Sequence, residues 1–448
     1  MTWSWKGIFK RALEFAGGSI VAVAPVNRAR IRYNEIKQQL EQSISTGPWG
    51  PLGTGSSAVV SQPEWYISPS TGSDDNDGAT AATALATHAE LMRRIGDAPI
   101  DSSVTVYITE NLDEDLYVRL QVTRNGFVRY VGTVSTLASG TFTNVVNTTP
   151  AANQPGEVED LALSGDWGPL GLINKRIRTT GGTNPDSVTW LAKDLGAKTA
   201  RVGNWIIVPY TTPMNFVNPN TVAIGDPYVV EELPTIKSVT VDLFGISESG
   251  AFPESTSRIV FDSVSILGGS PPTQYDYLKS TGNVSNGTWF IKSELERYEG
   301  LENQPAPAVA VACFAPDWQG PGVLNACVCT GGVGLGEGSA IVSTLFTDCA
   351  YTDLNPGLRL NFIINSGFMD CADDGISMFS GTYLRGFLIW GTGNAGYGFD
   401  VGEGGFADLD AATTTLTGTS GDTRVGGIVT PYAGLPFVNP ANLAQIQV

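Results

Sequence analysis

Three cysteines, Cys327, Cys349 and Cys371, stand twenty-two residues apart, and Leu324, Phe346, Phe368 and Trp390 keep the same step beside them. A period of that length over four turns is what a chain shows when it winds one parallel β-helix coil per repeat, stacking like residues about 4.8 Å apart. The expected fold class is all-β: a solenoid of about 22 residues per coil. The spacing also predicts a local feature. Phe368 and Cys371 are three apart, as are Leu324 and Cys327, so one straight strand would point them to opposite sides. Both residue types prefer burial, which predicts a bend near Asp348 and Asp370.

Composition agrees with many short strands. The 448 residues include 53 Gly and 26 Pro, a supply of turn residues. Solenoids run long as one unit, so length alone does not divide the chain. A formal charge of −18 argues against nucleic-acid partners, because binding phosphates needs clustered Lys and Arg. Five cysteines make no disulfide framework, and the ladder reads as small buried thiols, although adjacent coils would bring two Cα atoms within bridging reach. No run approaches the roughly twenty apolar residues that span a bilayer, so no membrane insertion is expected. The apolar segment Ala16 to Val26 follows Lys6, Lys10 and Arg11, but Glu14 precedes it and Pro25 stands where a small-residue cleavage site is wanted. Export by that route is not expected.

The first 45 residues stand apart. They hold seven basic residues against three acidic ones, a balance of +4, which leaves −22 on the remainder. Trp3, Trp5, Ile8, Phe9, Ala12, Leu13 and Phe15 have helical spacing, and Ile36, Leu40 and Ile44 repeat at i+4 in a second segment from about Asn27. Helices this short need a partner for their apolar stripes. Residues 1–45 are therefore expected to form a helical anchor, with Trp3, Trp5, Ile8, Phe9, Leu13, Ile36 and Leu40 as its partner-binding side chains. Residues 46–63 read as a Gly/Pro/Ser linker. Within it Trp49 to Gly53 spell WGPLG, a pentapeptide that recurs at Trp167 to Gly171.

From Trp65 the chain reads WYISPSTGSDDNDGATAATALATHAELMRRI, followed by VTVYIT. This resembles the opening segment of the pectin-lyase-like, right-handed parallel β-helix proteins, a group common among bacteriophage tailspikes and secreted carbohydrate-active proteins. The resemblance implies a right-handed parallel β-helix over residues 64–410, a cap helix near 87–96, loop insertions at about 148–226 and a C-terminal β cap over 411–448. Thr87 and Glu90 form a T-x-x-E capping box. Asp74, Asp75 and Asp77 lack the ligand order of a calcium loop and read as a solvated turn.

Asp348 and Asp370 share the twenty-two-residue step, and Asp373 and Asp374 follow in MDCADDGISMF. Stacked carboxylates are what glycoside hydrolysis requires, one as acid and one as base or nucleophile. The fragment resembles the paired-Asp segment of polygalacturonase-like β-helix enzymes. Their Gly-His-Gly and R-x-K motifs are missing, and the single histidine, His88, lies in the cap helix. "DDG" is also a turn signal by itself. Asp348, Asp370, Asp373 and Asp374 are thus the candidate acids, with Arg359 and Arg385 nearby in sequence. GGVGLGEG, residues 331–338, reads as turn glycine, and no cofactor or metal motif is present.

The resemblance implies a virion structural protein, a tailspike or tail-fibre-like appendage, working as a homotrimer. Its basic head would plug into other virion proteins and its acidic body would recognise host surface polysaccharide, after assembly in the host cytoplasm. Two alternatives are a polysaccharide depolymerase, hydrolase or lyase, on the same fold, and a head or collar decoration protein with no receptor role.

Overall fold

A computed structural model describes residues 60–431 apart from short stretches, chiefly 121–126, 150–153, 209–219, 244–258, 268–287, 300–307, 355–360 and 410–413, together with the backbone of Ala29–Asn34, Gln39–Ile44 and Gly50–Pro51. The body is a right-handed parallel β-helix with three long flanks. The first flank runs from Glu64–Ile67 through Ile259–Asp262, Trp289–Ile291 and Ala340–Val342 to Ile428–Pro431. The second includes Ser265–Ile266, Val328–Cys329 and Leu345–Thr347, and the third runs from Tyr298–Glu299 to Gly421–Val425.

Coil length is not constant. Val309 pairs with Val323, a step of 14; Val323 with Ala340, a step of 17; Ala340 with Phe362, a step of 22; and Phe362 with Arg385, a step of 23. The ladder of equal sequence steps is therefore only partly a ladder in space. Phe346 and Phe368 do stack, with ring centroids 4.5 Å apart and planes 2° from parallel. Cys349 and Cys371 are neighbours, because the Ala372 amide donates to the Cys349 carbonyl. Cys327 instead joins the column of Cys313 and Thr344, whose hydroxyl accepts from the Cys327 amide. Trp390 pairs with Gly367 and packs with Trp190 and Met369 in a separate cluster outside the coil interior. Constant spacing cannot mark a constant column when the loops between flanks change length. All five cysteines are buried and unbridged, and burial pushes the Cys313, Cys329 and Cys349 thiols up.

The predicted bend is present. Asp348 and Asp370 have φ of 55° and 54°, so Phe346 and Cys349 both turn inward and are fully buried, as are Phe368 and Cys371 within 1%. The corner between the first and second flanks is more regular still. Ser263, Lys292, Ala312, Ala326, Ser343, Asn365 and Leu388 lie in register, and all have φ between 50° and 60°. Non-glycine residues in this region cost about 1 kcal/mol each or more, so stacked flanks on both sides must hold the turn in place.

The cap helix is His88–Ile95. His88, Leu91 and Ile95 are buried on the end of the core, and His88 Nε2 lies 3.0 Å from the Tyr130 hydroxyl. Only half of the capping box forms. The Thr87 hydroxyl accepts from the Glu90 amide, but the Glu90 carboxylate turns to Arg93 and Arg94, leaving Asp74 to accept from the Ala86 and Thr87 amides. Asp74 thus fastens the loop to the helix start. Asp77 accepts from the Ala79 amide.

Two sequence expectations change. Where i+4 spacing predicts a second N-terminal helix, the backbone is a β-hairpin in which Ala29–Asn34 pairs antiparallel with Gln39–Ile44. An interval of four is even, so Leu40 and Ile44 satisfy a strand as well as a helix. Ile36 lies outside the described residues, as does the first predicted helix with Trp3, Trp5, Ile8, Phe9 and Leu13. Where irregular spacing predicts inserted loops, the chain builds a seven-stranded antiparallel sheet. In spatial order its strands are Ser135–Thr141, Pro227–Glu232, Arg176–Thr179, Val188–Gly196, Thr199–Val202, Gly156–Glu159 and Asn144–Val146. The sheet has its own core, including Phe142, Trp167, Trp205 and Tyr228. The second WGPLG has a clear role there. Trp167 is buried against Tyr228, donates to the Lys198 carbonyl at 2.7 Å, and precedes a turn in which Gly171 takes φ 70°.

Candidate functional site

The inserted sheet decides what the candidate acids do. It lies along the corner of left-handed residues and covers much of the second flank. Trp190 donates to the Ala312 carbonyl at 2.7 Å, and Arg176 donates to the Lys292 carbonyl and to Ser263. Trp190 and Ala192 pack with Phe314, Val328, Leu345, Met369 and Trp390. At the far end, Lys193 Nζ lies 2.5 Å from Asp348 and 3.3 Å from Asp370, and Arg201 donates to Asp370 at 2.7 Å and to Thr347 at 2.9 Å. Burial raises the Asp370 carboxyl, but the hydrogen bond and charge of Arg201, with Lys193 beside it, outweigh that and hold it below its ordinary value. Asp348 and Asp370 do form one column, as their spacing implies. They are the clasp between β-helix and insertion.

Asp373 and Asp374 sit elsewhere. Cys349 stands beside Cys371, whereas Asp353 pairs with Ser377, two residues further along its coil. The extra residues are taken up between them, which places Asp373 and Asp374 in a turn leading onto the third flank. Asp374 is buried, and its Oδ1 accepts from the Tyr397 amide at 2.6 Å, fastening this turn to the next coil. Asp373 is exposed. Their neighbour is Asp353, which sequence reasoning missed. Half-burial and the nearby charges of Asp373 and Asp374 push the Asp353 carboxyl up to about 6. Its signal was faint: a lone Asp in a strand, visible as a site residue only once the register is known. Arg385 lies on the first flank, paired with Asp408 at 3.0 Å, and Arg359 is outside the described residues.

The expectation of turn glycines in 331–338 holds at Gly338, with φ 78°, and is overturned at Gly332 and Gly334, because Gly332–Leu335 is a strand. Val333 and Leu335 are buried in the coil interior, and Gly332 and Gly334 take the alternate positions, Gly332 half-buried and Gly334 buried. The reason is steric. A Cβ on Gly332 would stand 2.7 Å from the Tyr351 ring, so glycine lets that ring lie down on the strand. Tyr351 is 37% exposed, and its hydroxyl lies 2.8 Å from Gln319 Nε2, which also reaches Asp317 and the Gly332 carbonyl. By register, Gln319, Gly334 and Asp353 follow one another up three coils. Tyr351 thus lies on the outer face with its ring laid across Gly332, and Asp353 follows two residues on along the same face, above the buried Gly334. The period-two glycines of G-V-G-L were the sequence signal of that strand.

Among the described residues, no group of three or more His, Cys, Asp and Glu side chains is placed to hold a metal ion, and no helix is long and apolar enough to cross a membrane.

Comparison with known proteins gives no matching family model and no matching curated protein. Among solved structures, the chain is similar to a tailspike of Acinetobacter baumannii bacteriophage AP22 in complex with A. baumannii capsular saccharide. That alignment covers 74% of this chain and 62% of the tailspike, at 8% identity and a TM-score of 0.23. It is also similar to a GH136 lacto-N-biosidase from Eubacterium ramulus, over 82% of this chain and 68% of that one, at 10% identity and a TM-score of 0.28. Alignments this loose carry nothing about chemistry, so the fold rests on the strand register above.

Proposed function

We propose that the chain is a tailspike or tail-fibre-like appendage of a virion, held to the particle by residues 1–45 and recognising host surface polysaccharide with its acidic β-helix. One observation carries this reading: the third flank presents a rigid outer face with an aromatic ring laid flat and carboxylates at hand, while the insertion roofs the second. Glycans are flat-faced and rich in hydroxyls, and a ligand of that kind is held by an exposed aromatic face with a few fixed polar groups. A stack of coils keeps those groups at fixed spacing, so binding spends little on ordering the protein. The opposite charges of residues 1–45 and the body suit a head that docks on one surface and a body that faces another. Assembly as a homotrimer belongs to the same proposal. The test is removal of residues 1–45. The truncated chain should keep glycan binding and lose attachment to the particle, and unchanged attachment would overturn the reading.

A second reading, polysaccharide depolymerase, is favoured by the cluster of Asp353 with Asp373 and Asp374. Glycoside hydrolysis wants one carboxyl protonated, and Asp353, half-buried beside Asp373 and Asp374 and pushed up to about 6, is suited to that part. Asp353, with Asp373 and Asp374, then replaces Asp348 and Asp370 as the candidate acid. Sugar release from host polysaccharide should vanish in Asp353→Asn, and an intact polymer after incubation with the native protein would end this reading.

A further inference from the structure

The outer face of the first flank is largely apolar from Trp289 onward, and what changes along it is the cover. In register, one outward column runs from Trp289 and Val309 through Ala340 to Phe362, and a second from Ile291 and Val311 through Val342 to Ile364. At the start of both, the insertion supplies the cover: Ile206 and Val208 share an apolar cluster with Trp289, Ile291, Val309 and Val311, none of them more than 8% exposed. At the far end Phe362 is 38% exposed and Tyr383, on the next coil, 43%, while Ile364, Phe387 and Phe406 are half-buried. Parallel strands that are apolar on both faces are buried on both. The far end therefore has the make-up of a covered sheet face, and the described residues leave it open.

We propose that this patch is the docking surface for residues 432–448 of the same chain, laid across it as an extended apolar strap. The segment starts where it is needed. It follows Pro431, the last residue of Ile428–Pro431, a strand of this same flank that pairs with Phe406–Leu409. Three coil steps separate that strand from Phe362, about 14 Å, and the seventeen residues, extended, reach several times as far. Composition points the same way. Residues 432–448 include Tyr432, Leu435, Phe437 and Val438 and no Lys, Arg, His, Asp or Glu, whereas residues 46–448 carry −22. Pro436 and Pro440 have no N–H to give a strand ladder, so the segment suits lying over a sheet better than adding a strand to the last coil. The patch also holds one unmet polar atom. Arg385 pairs with Asp408 Oδ2, and Asp408 Oδ1 is buried with no hydrogen-bond partner among the described residues. Asn439 and Asn442 carry the kind of amide donor that Oδ1 lacks.

Hydrogen exchange of the full chain, read by mass spectrometry, tests this. Exchange in residues 432–448 should be slower by about tenfold or more than in a synthetic peptide of the same sequence. Phe362→Ser with Tyr383→Ser, and separately Leu435→Ser with Phe437→Ser, should return it to the peptide's rate while Asn361–Met369 stays protected. The second pair leaves every strand of the flank as it is, so its result stands even if the first pair disturbs the coils. Exchange at the peptide's rate in the native chain overturns the proposal. Protection that survives both pairs overturns it too, as would follow if the segment covered the open end of the solenoid. Protection that fades on dilution makes the occupant a second copy, and slowed exchange in residues 209–219 that responds to Phe362→Ser in place of 432–448 makes it that segment; either result overturns the assignment.

Discussion

Asp370 and Asp353 are less than one coil apart in the same β-helix, yet their surroundings treat them in opposite ways. Asp370, at the corner beside the second flank, meets two cations from the inserted sheet, and its carboxyl is held below its ordinary value. Asp353, on the third flank, meets two further carboxylates and half-burial, and is pushed up to about 6. Among the described residues no cation offsets that rise. Stacking like residues gives a solenoid no means of telling one Asp from another. The insertion does so by supplying counter-charge to Asp348 and Asp370 and not to Asp353.

The strongest way to break this contrast is to loosen the insertion itself. Arg176 and Glu231 are 4% and 1% exposed at the side chain and lie 2.7 Å apart, and Arg176 also reaches Ser263 and the Lys292 carbonyl. Removing Arg176 leaves the buried Glu231 with Arg178 as its remaining cation and takes away the contacts to Ser263 and Lys292, at a cost of about 2–3 kcal/mol. Arg176→Ala should therefore lower the midpoint of denaturant unfolding and speed hydrogen exchange in Val188–Gly196 before it does so in Asn361–Met369. Uniform loss across both would show that the insertion and coils are one cooperative unit.

A smaller effect sharpens the comparison through pH. The Asp370 carboxyl is lowered in the fold, so its contribution is present above the ordinary carboxylate value and is lost as pH falls below it. The Asp353 carboxyl is raised, so its contribution is present below the ordinary value and is lost as pH rises through about 6. Asp370→Asn should destabilise by about 1–2 kcal/mol at neutral pH and flatten the acid side of the stability curve. Asp353→Asn should be neutral or mildly stabilising at neutral pH and flatten the interval from about 4 to 6. Thermal melts across pH would show this, and parallel curves for the two variants would remove the contrast.

The smallest effect lies at the cap. Asp74 accepts three hydrogen bonds from Ala86 and Thr87, so Asp74→Ala should cost about 1 kcal/mol. Its exchange signature should stay within His88–Ile95, and spread into the coils would show that the cap helix closes the whole solenoid.

Much of the architecture was legible in the residues. The twenty-two-residue step identified the coil, and the parity of Phe368 against Cys371 located the bend at Asp348 and Asp370. The same step misassigned Cys327 and Trp390, because a coil of 17 residues follows Cys327 and one of 23 precedes Trp390, which shifts which residues become neighbours. The i+4 spacing of Leu40 and Ile44 suited a helix and a strand equally. The glycine strand under Tyr351 was half visible. Alternate glycines in G-V-G-L have a strand's period, but glycine's frequency in turns masked it.

By itself the sequence determined the repeat, the buried thiols, the bend and the separation of charge, since each follows from period, parity or count within a local stretch. Only the tertiary structure decided which carboxylates are neutralised. That outcome depends on Lys193 and Arg201 reaching across more than 140 residues to Asp348 and Asp370. Contacts so distant in the chain leave no periodic trace, because the coil and the insertion each satisfy their own local pattern and meet only once both have folded.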